Sequence, residues 1–257
     1  MLFPAGFQLE ILLLVLLRTG GFITAAPLFS SRGVPVILKV LLSVILSLSI
    51  YTYAFAGLAL PPMSDAILLL YGIREILMGL TMGYVVLIVF SAVQIAGQLV
   101  DFQIGFSLSA TYNPMSGVTQ ALMGRFYSMT ALVLIFVTDA HHHILGAFYK
   151  SFEALPLGAP FSMNIGMGWI LSTFSVFFAI AFQIAVPVIL VLLMTDLVMG
   201  LVSRTVPSLN VLMLGMPMKT LVGLVFSMMA LPVLIQSLMR VIGDLSVYLE
   251  MWIHRMS

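Results

Sequence analysis

Three observations together predict an all-α membrane-type protein built from broken helical hairpins. Of 257 residues, 62% are hydrophobic and 7% charged, against roughly 45–50% and about 25% in soluble domains, and the mean hydropathy is +1.21. Long runs contain no Asp, Glu, Lys or Arg, and roughly 20 apolar residues are enough to cross a hydrocarbon core about 30 Å thick. Proline and glycine interrupt those runs, so the helices are expected as hairpins that do not all cross a bilayer.

About six hydrophobic segments follow in chain order. Residues 11–29 and 126–145 are the weaker two, because Arg18 lies in the first and Asp139 in the second. Each such charge costs about 2.5–3.5 kcal/mol at a helix centre on insertion scales. Residues 40–64, 76–100 and 220–239 are uncharged, and 154–195 is uncharged and long enough for more than one element. Residues 1–8 carry no Lys or Arg and Glu10 is acidic, so the start is read as retained rather than as a signal peptide. On a six-span path Arg32, Lys39, Arg125, Arg204 and Lys219 fall on one side and Arg74, Lys150, Arg240 and Arg255 on the other. The positive-inside rule therefore sets no orientation.

Interruptions occur at Pro27, Gly79, Gly83, Pro187, Gly200, Pro207, Pro217 and Pro232. An interior helical proline costs about 3 kcal/mol, and freed carbonyls are tolerated where neighbouring protein or a cavity satisfies them. Heavy burial against other chains, hence obligate assembly, is expected. No linker or low-complexity tract divides residues 1–257, so they are read as one domain.

Function classes narrow quickly. A net charge of +1 makes no field for nucleic acid, and zero cysteines remove thiolate chemistry and disulfides. The motifs HExxH, GxSxG and GK[ST] are absent, so no enzyme, cofactor or metal is expected. His141, His142 and His143 are consecutive and splay around a helix, which reads as an interfacial patch beside Asp139.

The ionisable residues beside or inside apolar runs are Arg18, Arg74, Glu75, Asp101, Arg125, Asp196, Arg204 and Lys219. Arg74 and Glu75 are adjacent and point to different faces, and Asp196 and Arg204 are about 12 Å apart along a helix. Their partners are expected on another helix or another chain, as buried pairs that set register. A proton or ion relay through Asp101, Asp196 or Lys219, in a stand-alone secondary transporter, is the alternative from a different class. The short echo between residues 75–80 and 196–201 is too brief to establish a repeat.

The polar stretch from Phe102 to Gly117 lies between two apolar segments. Gly105 and Gly117 permit unusual backbone angles, Asn113-Pro114 favours a turn, and Ser and Thr hydroxyls can satisfy loop backbone in a wet cavity. It reads either as a plain connection or as a re-entrant, pore-occluding element. Nineteen methionines supply deformable apolar surface suited to a gasket or to ordinary core filling.

Several stretches together resemble the FliR-type family of type III secretion export-gate proteins. They are residues 18–39 with Pro27, Phe29, Pro35 and Lys39; residues 97–107; residues 142–158; and Asp196 through Gly200, Arg204, Pro207, Asn210, Gly215, Pro217, Lys219 and Gly223, the last run being the most specific. The resemblance implies a non-enzymatic subunit of the flagellar protein-export apparatus in the bacterial inner membrane and basal body. Such a subunit packs with FliP and FliQ into a pore-forming assembly that FlhB joins, and passes unfolded flagellar subunits. It also implies a FliP-like part over about 1–165, continued by a FliQ-like hairpin over 166–257. In the family a loop after the third hydrophobic segment plugs the closed pore. Here the residues in that position include Ile104, Gly105, Phe106, Ser107, Tyr112, Asn113, Pro114, Met115 and Gly117. Arg74, Glu75, Asp101, Arg125, Asp196, Arg204 and Lys219 are then the expected buried polar or assembly residues. The injectisome homologue is the alternative within the family.

Overall fold

A charge inside an apolar run ends a membrane segment only if nothing in the protein answers it, and here several charges are answered. The computed structural model describes residues 8–31, 33–55, 64–106, 122–158, 167–205 and 211–256. Among these are nine helices and no strand: α1 (Leu9–Ala25), α2 (Pro27–Ser30), α3 (Val36–Ala54), α4 (Asp65–Ile104), α5 (Leu122–Val137), α6 (Ala140–Ala154), α7 (Met167–Thr205), α8 (Val211–Met229) and α9 (Leu231–Met256). The all-α membrane-type class holds.

Segment boundaries depart from the expectation in instructive ways. Among the described residues, α3, α4 and much of α7 and α9 are long and apolar enough to cross a membrane, giving four spans, or five if α5 and α6 form one broken span. About six were expected. The 11–29 segment breaks at Ala26, where Pro27 starts α2, and leaves α1 with 17 residues. The 220–239 segment breaks at Ala230 into α8 and α9, and Pro232 sits in the first turn of α9, where its missing N–H costs no helical bond. Conversely, α4 runs for 40 residues straight through Arg74, Glu75, Gly79, Gly83 and Asp101, and α7 runs for 39 through Pro187 and Gly200. Pro217 likewise lies inside α8, so these positions do not break helices, while Pro207 lies outside the described residues. One proline removes a single ladder bond, and flanking turns hold the helix together.

The chain divides into two compact units, one of residues 1–88, 139–166 and 244–257, the other of residues 89–138 and 167–243. In the first, α1 is the buried centre, with Ile11, Leu14, Val15, Phe22 and Ile23 fully enclosed. Helix α3 packs on it through a face of Ser43, Ser47, Ile50 and Tyr51. The two serines need no outside partner, because Ser43 Oγ donates to the Lys39 carbonyl and Ser47 Oγ to the Ser43 carbonyl.

Helices α1 and α4 cross backbone to backbone. A Cβ built on Gly79 would lie 2.0 Å from the Arg18 carbonyl oxygen, and one on Gly83 would lie 2.8 Å from the Phe22 carbonyl. Gly79 and Gly83 are thus a small-xxx-small contact and not a break. This approach buries Arg18 completely. Its Nε donates to Glu75 Oε2 at 2.5 Å, one terminal nitrogen donates to the Ser151 carbonyl at 3.2 Å, and the other to the Leu155 carbonyl at 3.0 Å. The guanidinium also lies 4.2 Å from the Phe152 ring centroid. Phe22 stacks on Phe148 at 4.4 Å, completing an apolar wall around the pair.

In the second unit the lower half of α4 packs on α5. A Cβ on Gly97 would lie 2.5 Å from Gly124 Cα, so only glycines allow that approach. Helices α7 and α8 pack together, with Ile184, Val188 and Leu192 of α7 buried.

Two outcomes follow from these contacts. Arg18→Met leaves the buried Glu75 carboxylate without its cation, and thermal unfolding of the detergent-purified protein should show a loss of about 3–5 kcal/mol. The double variant Arg18→Met/Glu75→Gln should lose less, and equal losses would mean the pair is not coupled. Gly79→Ala should destabilise by about 1–3 kcal/mol through overpacking, whereas Gly20→Ala, with nothing within 4 Å of the added carbon, should not.

Candidate functional site

The candidate loop begins where α4 ends, and the residues that close α4 are described. Gly105 has φ +98, a left-handed conformation that glycine adopts without strain. Its N–H donates to the Phe102 carbonyl at 3.2 Å, while the Phe106 N–H donates to the Asp101 carbonyl at 3.1 Å. These two bonds make a Schellman end to the helix. The Asp101 side chain then reaches across to α5: Oδ2 accepts the N–H of Met123 at 2.8 Å and of Gly124 at 3.1 Å. Those are the second and third residues of α5, whose amides have no partner within their own helix. A residue of one helix therefore caps the next, and the carboxylate sits at the positive end of the α5 dipole.

Ile104, the last residue of α4, is seated firmly. It is 2% exposed, and a Cβ on Gly223 of α8 would meet its Cγ1 at 2.6 Å and Leu192 of α7 at 3.2 Å. Beside it Gln103 Nε2 donates to Asp196 Oδ2 at 3.1 Å, and Lys219 Nζ donates to the same oxygen at 2.8 Å. The foot of the loop is thus held by α7 and α8 together.

The remaining expected residues are less uniform. Glu75 is buried in the Arg18 knot, and its Oε1 also faces the Gly158 N–H at 3.5 Å. Arg74 is half-buried, its guanidinium 5.9 Å from the Tyr71 ring one turn earlier. Arg125 and Arg204 are exposed on the isolated chain with no ion pair among the described residues, and Asp196 is exposed as well. Burial within this chain is therefore not common to the set. Ser107, Tyr112, Asn113, Pro114, Met115 and Gly117 lie outside the described residues.

The histidine patch differs from its expected splay. Asp139, His141 and His142 offer ligand atoms within 4.8 Å of one another. Asp139 carries φ 55 at the entry to α6, the left-handed value among non-glycine described residues. The group sits on the first turn of that helix, where the positive dipole end opposes a cation, and its Asp139 and His142 side chains are mostly in solvent. No ion is assigned to it.

Sequence reasoning had Asp101, Asp196 and Lys219 as candidates without their partners. It missed Gly97 and Gly124 as the contact that brings Asp101 to α5, and Gln103 as the second donor to Asp196. Glycine at Gly97, one turn before Asp101, was the available signal.

Residues 9–245 match the family of bacterial export proteins, family 1. The flagellar biosynthetic protein FliR of Bacillus subtilis is 34% identical over 239 residues, 91% of this chain and 88% of the relative. FliR of Escherichia coli K12 is 29% identical over 81% of this chain and 79% of its own. The secretion system apparatus protein SsaT of Salmonella typhimurium is 24% identical over 69% of each chain. A match of that extent, with a relative sharing a third of its residues over nearly the full length of both, settles the family: the chain belongs to the bacterial export proteins, family 1.

Proposed function

We propose that the chain is a non-enzymatic subunit of the flagellar type III protein export gate, which forms the pore entry with FliP and FliQ and passes unfolded flagellar subunits. The observation that carries this reading is the family match over residues 9–245, with FliR proteins among the relatives. The site of action is the bacterial inner membrane at the flagellar basal body, and FlhB is the further partner. In this reading residues 1–165 act as the FliP-like part and 166–257 as the FliQ-like hairpin.

Surface chemistry supports assembly. Val36 and Ile37 of α3 are 74% and 79% exposed, and Leu197 and Leu201 of α7 are exposed beside Asp196 and Arg204. A face mixing large apolar side chains with charge, of which Arg204 has no ion pair among the described residues, suits neither lipid nor water, and another protein surface answers both. Arg125 and Arg204 are then charges whose partners lie on neighbouring subunits. The loop that Ile104, Gly105 and Phe106 open, reaching Gly117, is the occluding element of the closed pore.

Co-expression with FliP and FliQ from the same organism, followed by native mass spectrometry in mild detergent, should give one discrete complex of all three proteins. A stable lone chain or homo-oligomer would overturn the reading and return attention to ion-coupled transport, testable as solute flux in proteoliposomes. Deleting residues 107–117 should raise ion leakage through the assembled gate, measured as bilayer conductance. Unchanged conductance in an intact complex would remove the plug assignment while leaving the gate assignment standing.

A further inference from the structure

Asp101 stands at an unusual place in the chain. Its carbonyl accepts the N–H of Gly105 and of Phe106, each at 3.1 Å, and so closes α4. Its carboxylate accepts the N–H of Met123 and Gly124 and so opens α5. A helix is ordinarily capped by the residue just before it, whereas here the capping side chain lies 22 positions upstream of Met123. The whole connection between the two helices starts and ends on one residue.

The geometry that permits this is tight. Asp is a short side chain, and it reaches the α5 amides only because Gly97 and Gly124 let the two backbones touch. The residue is 2% exposed, and Oδ1 is buried with no hydrogen-bond partner among the described residues. Among the described residues the carboxylate's hydrogen bonds are therefore those from the two α5 amides. A buried acceptor with a single cluster of donors is held to the position of those donors, since leaving it unpaired is costly.

We infer that Asp101 is the positioning residue of the 105–121 connection, setting the separation of its two ends by joining the end of α4 to the start of α5 through one side chain. The inference concerns the residues flanking the loop and rests, for its functional consequence, on the reading of that loop as the occluding element. Two helix ends joined through one side chain keep a fixed separation. If the tie is cut, α5 can move off α4 and the two ends separate. The tie requires a short acceptor and not a charge in particular: Asn serves as well as Asp at a helix N-terminus, Ala offers no acceptor, and Glu carries the acceptor one methylene too far.

The chain has no cysteine, so a cysteine pair introduced by Phe102→Cys and Met129→Cys can be spin-labelled cleanly. Both positions are exposed, at 72% and 52%, and lie on α4 and α5. Pulsed dipolar spectroscopy on the labelled chain, assembled with FliP and FliQ, should give a narrow distance distribution with Asp101 in place. Asp101→Ala should broaden it and shift it to longer distance, Asp101→Asn should restore it, and bilayer conductance should follow the same order with a severalfold leak in the alanine variant. Should Asp101→Ala fail to assemble, Asp101→Glu keeps charge and acceptor and should still shift the distribution. An assembled variant, Ala or Glu, with an unchanged distribution would overturn the positioning role whatever its leak. A broadened distribution with unchanged conductance would uphold that role and overturn the plug reading instead.

Discussion

The complete burial of Arg18 is the constraint around which the first unit is arranged. A guanidinium cannot be left in a low-dielectric interior without a counter-charge and acceptors, and this one has Glu75 and the carbonyls of Ser151 and Leu155. Those carbonyls lie at the end of α6, at the negative end of its dipole, and the Ser151 carbonyl takes Arg18 in addition to the Leu155 N–H that it already accepts. Meeting Arg18's needs therefore sets where α4 must cross α1 and where α6 must stop. The cost of desolvating the pair is offset because each of the three guanidinium nitrogens reaches an acceptor, and Phe152 covers the guanidinium face.

The second unit applies the same physical rule with the opposite sign. Asp101 is buried at the N-terminus of α5, where amides lack partners and the dipole favours an anion. In each unit a charge within an apolar chain is placed at a helix end of complementary polarity, supplied by a different helix. Neither arrangement depends on solvent, which suits a chain whose long apolar helices can cross a membrane. Asp196 is the contrast: it stays partly exposed, shared by Gln103 and Lys219, on a surface that still carries large apolar side chains.

Glycine makes both arrangements possible. Where Gly79 meets Arg18 and Gly97 meets Gly124, the backbones approach closely enough for short side chains to span from helix to helix. In an apolar environment there is little hydrophobic drive between helices, so van der Waals contact at such crossings and the polar links beside them hold the packing. The expectation of interruptions at Gly79 and Gly83 came from reading glycine by its backbone freedom alone. In a long helix supported on one side by α1, its missing side chain matters more than its flexible backbone.

Composition and the spacing of charges were sufficient for the all-α membrane class and for the residues that would need partners, because hydropathy is a sum over local side chains. Arg18, Glu75, Asp101, Asp196 and Lys219 were legible as expensive for the same reason. Their pairing was not, since a residue separated by 57 positions from its counter-charge, as Glu75 is from Arg18, is brought to it only by how helices cross. Helix ends were misjudged on the same account: α4 continues through Glu75 and Asp101 because partners on α1 and α5 remove the penalty that should have stopped it, while α1 and α8 end early at local breaks. The amino-acid sequence determined which groups could not be left alone, and the tertiary structure decided what answers them, because desolvation is a property of the residue and compensation is a property of its neighbours in space.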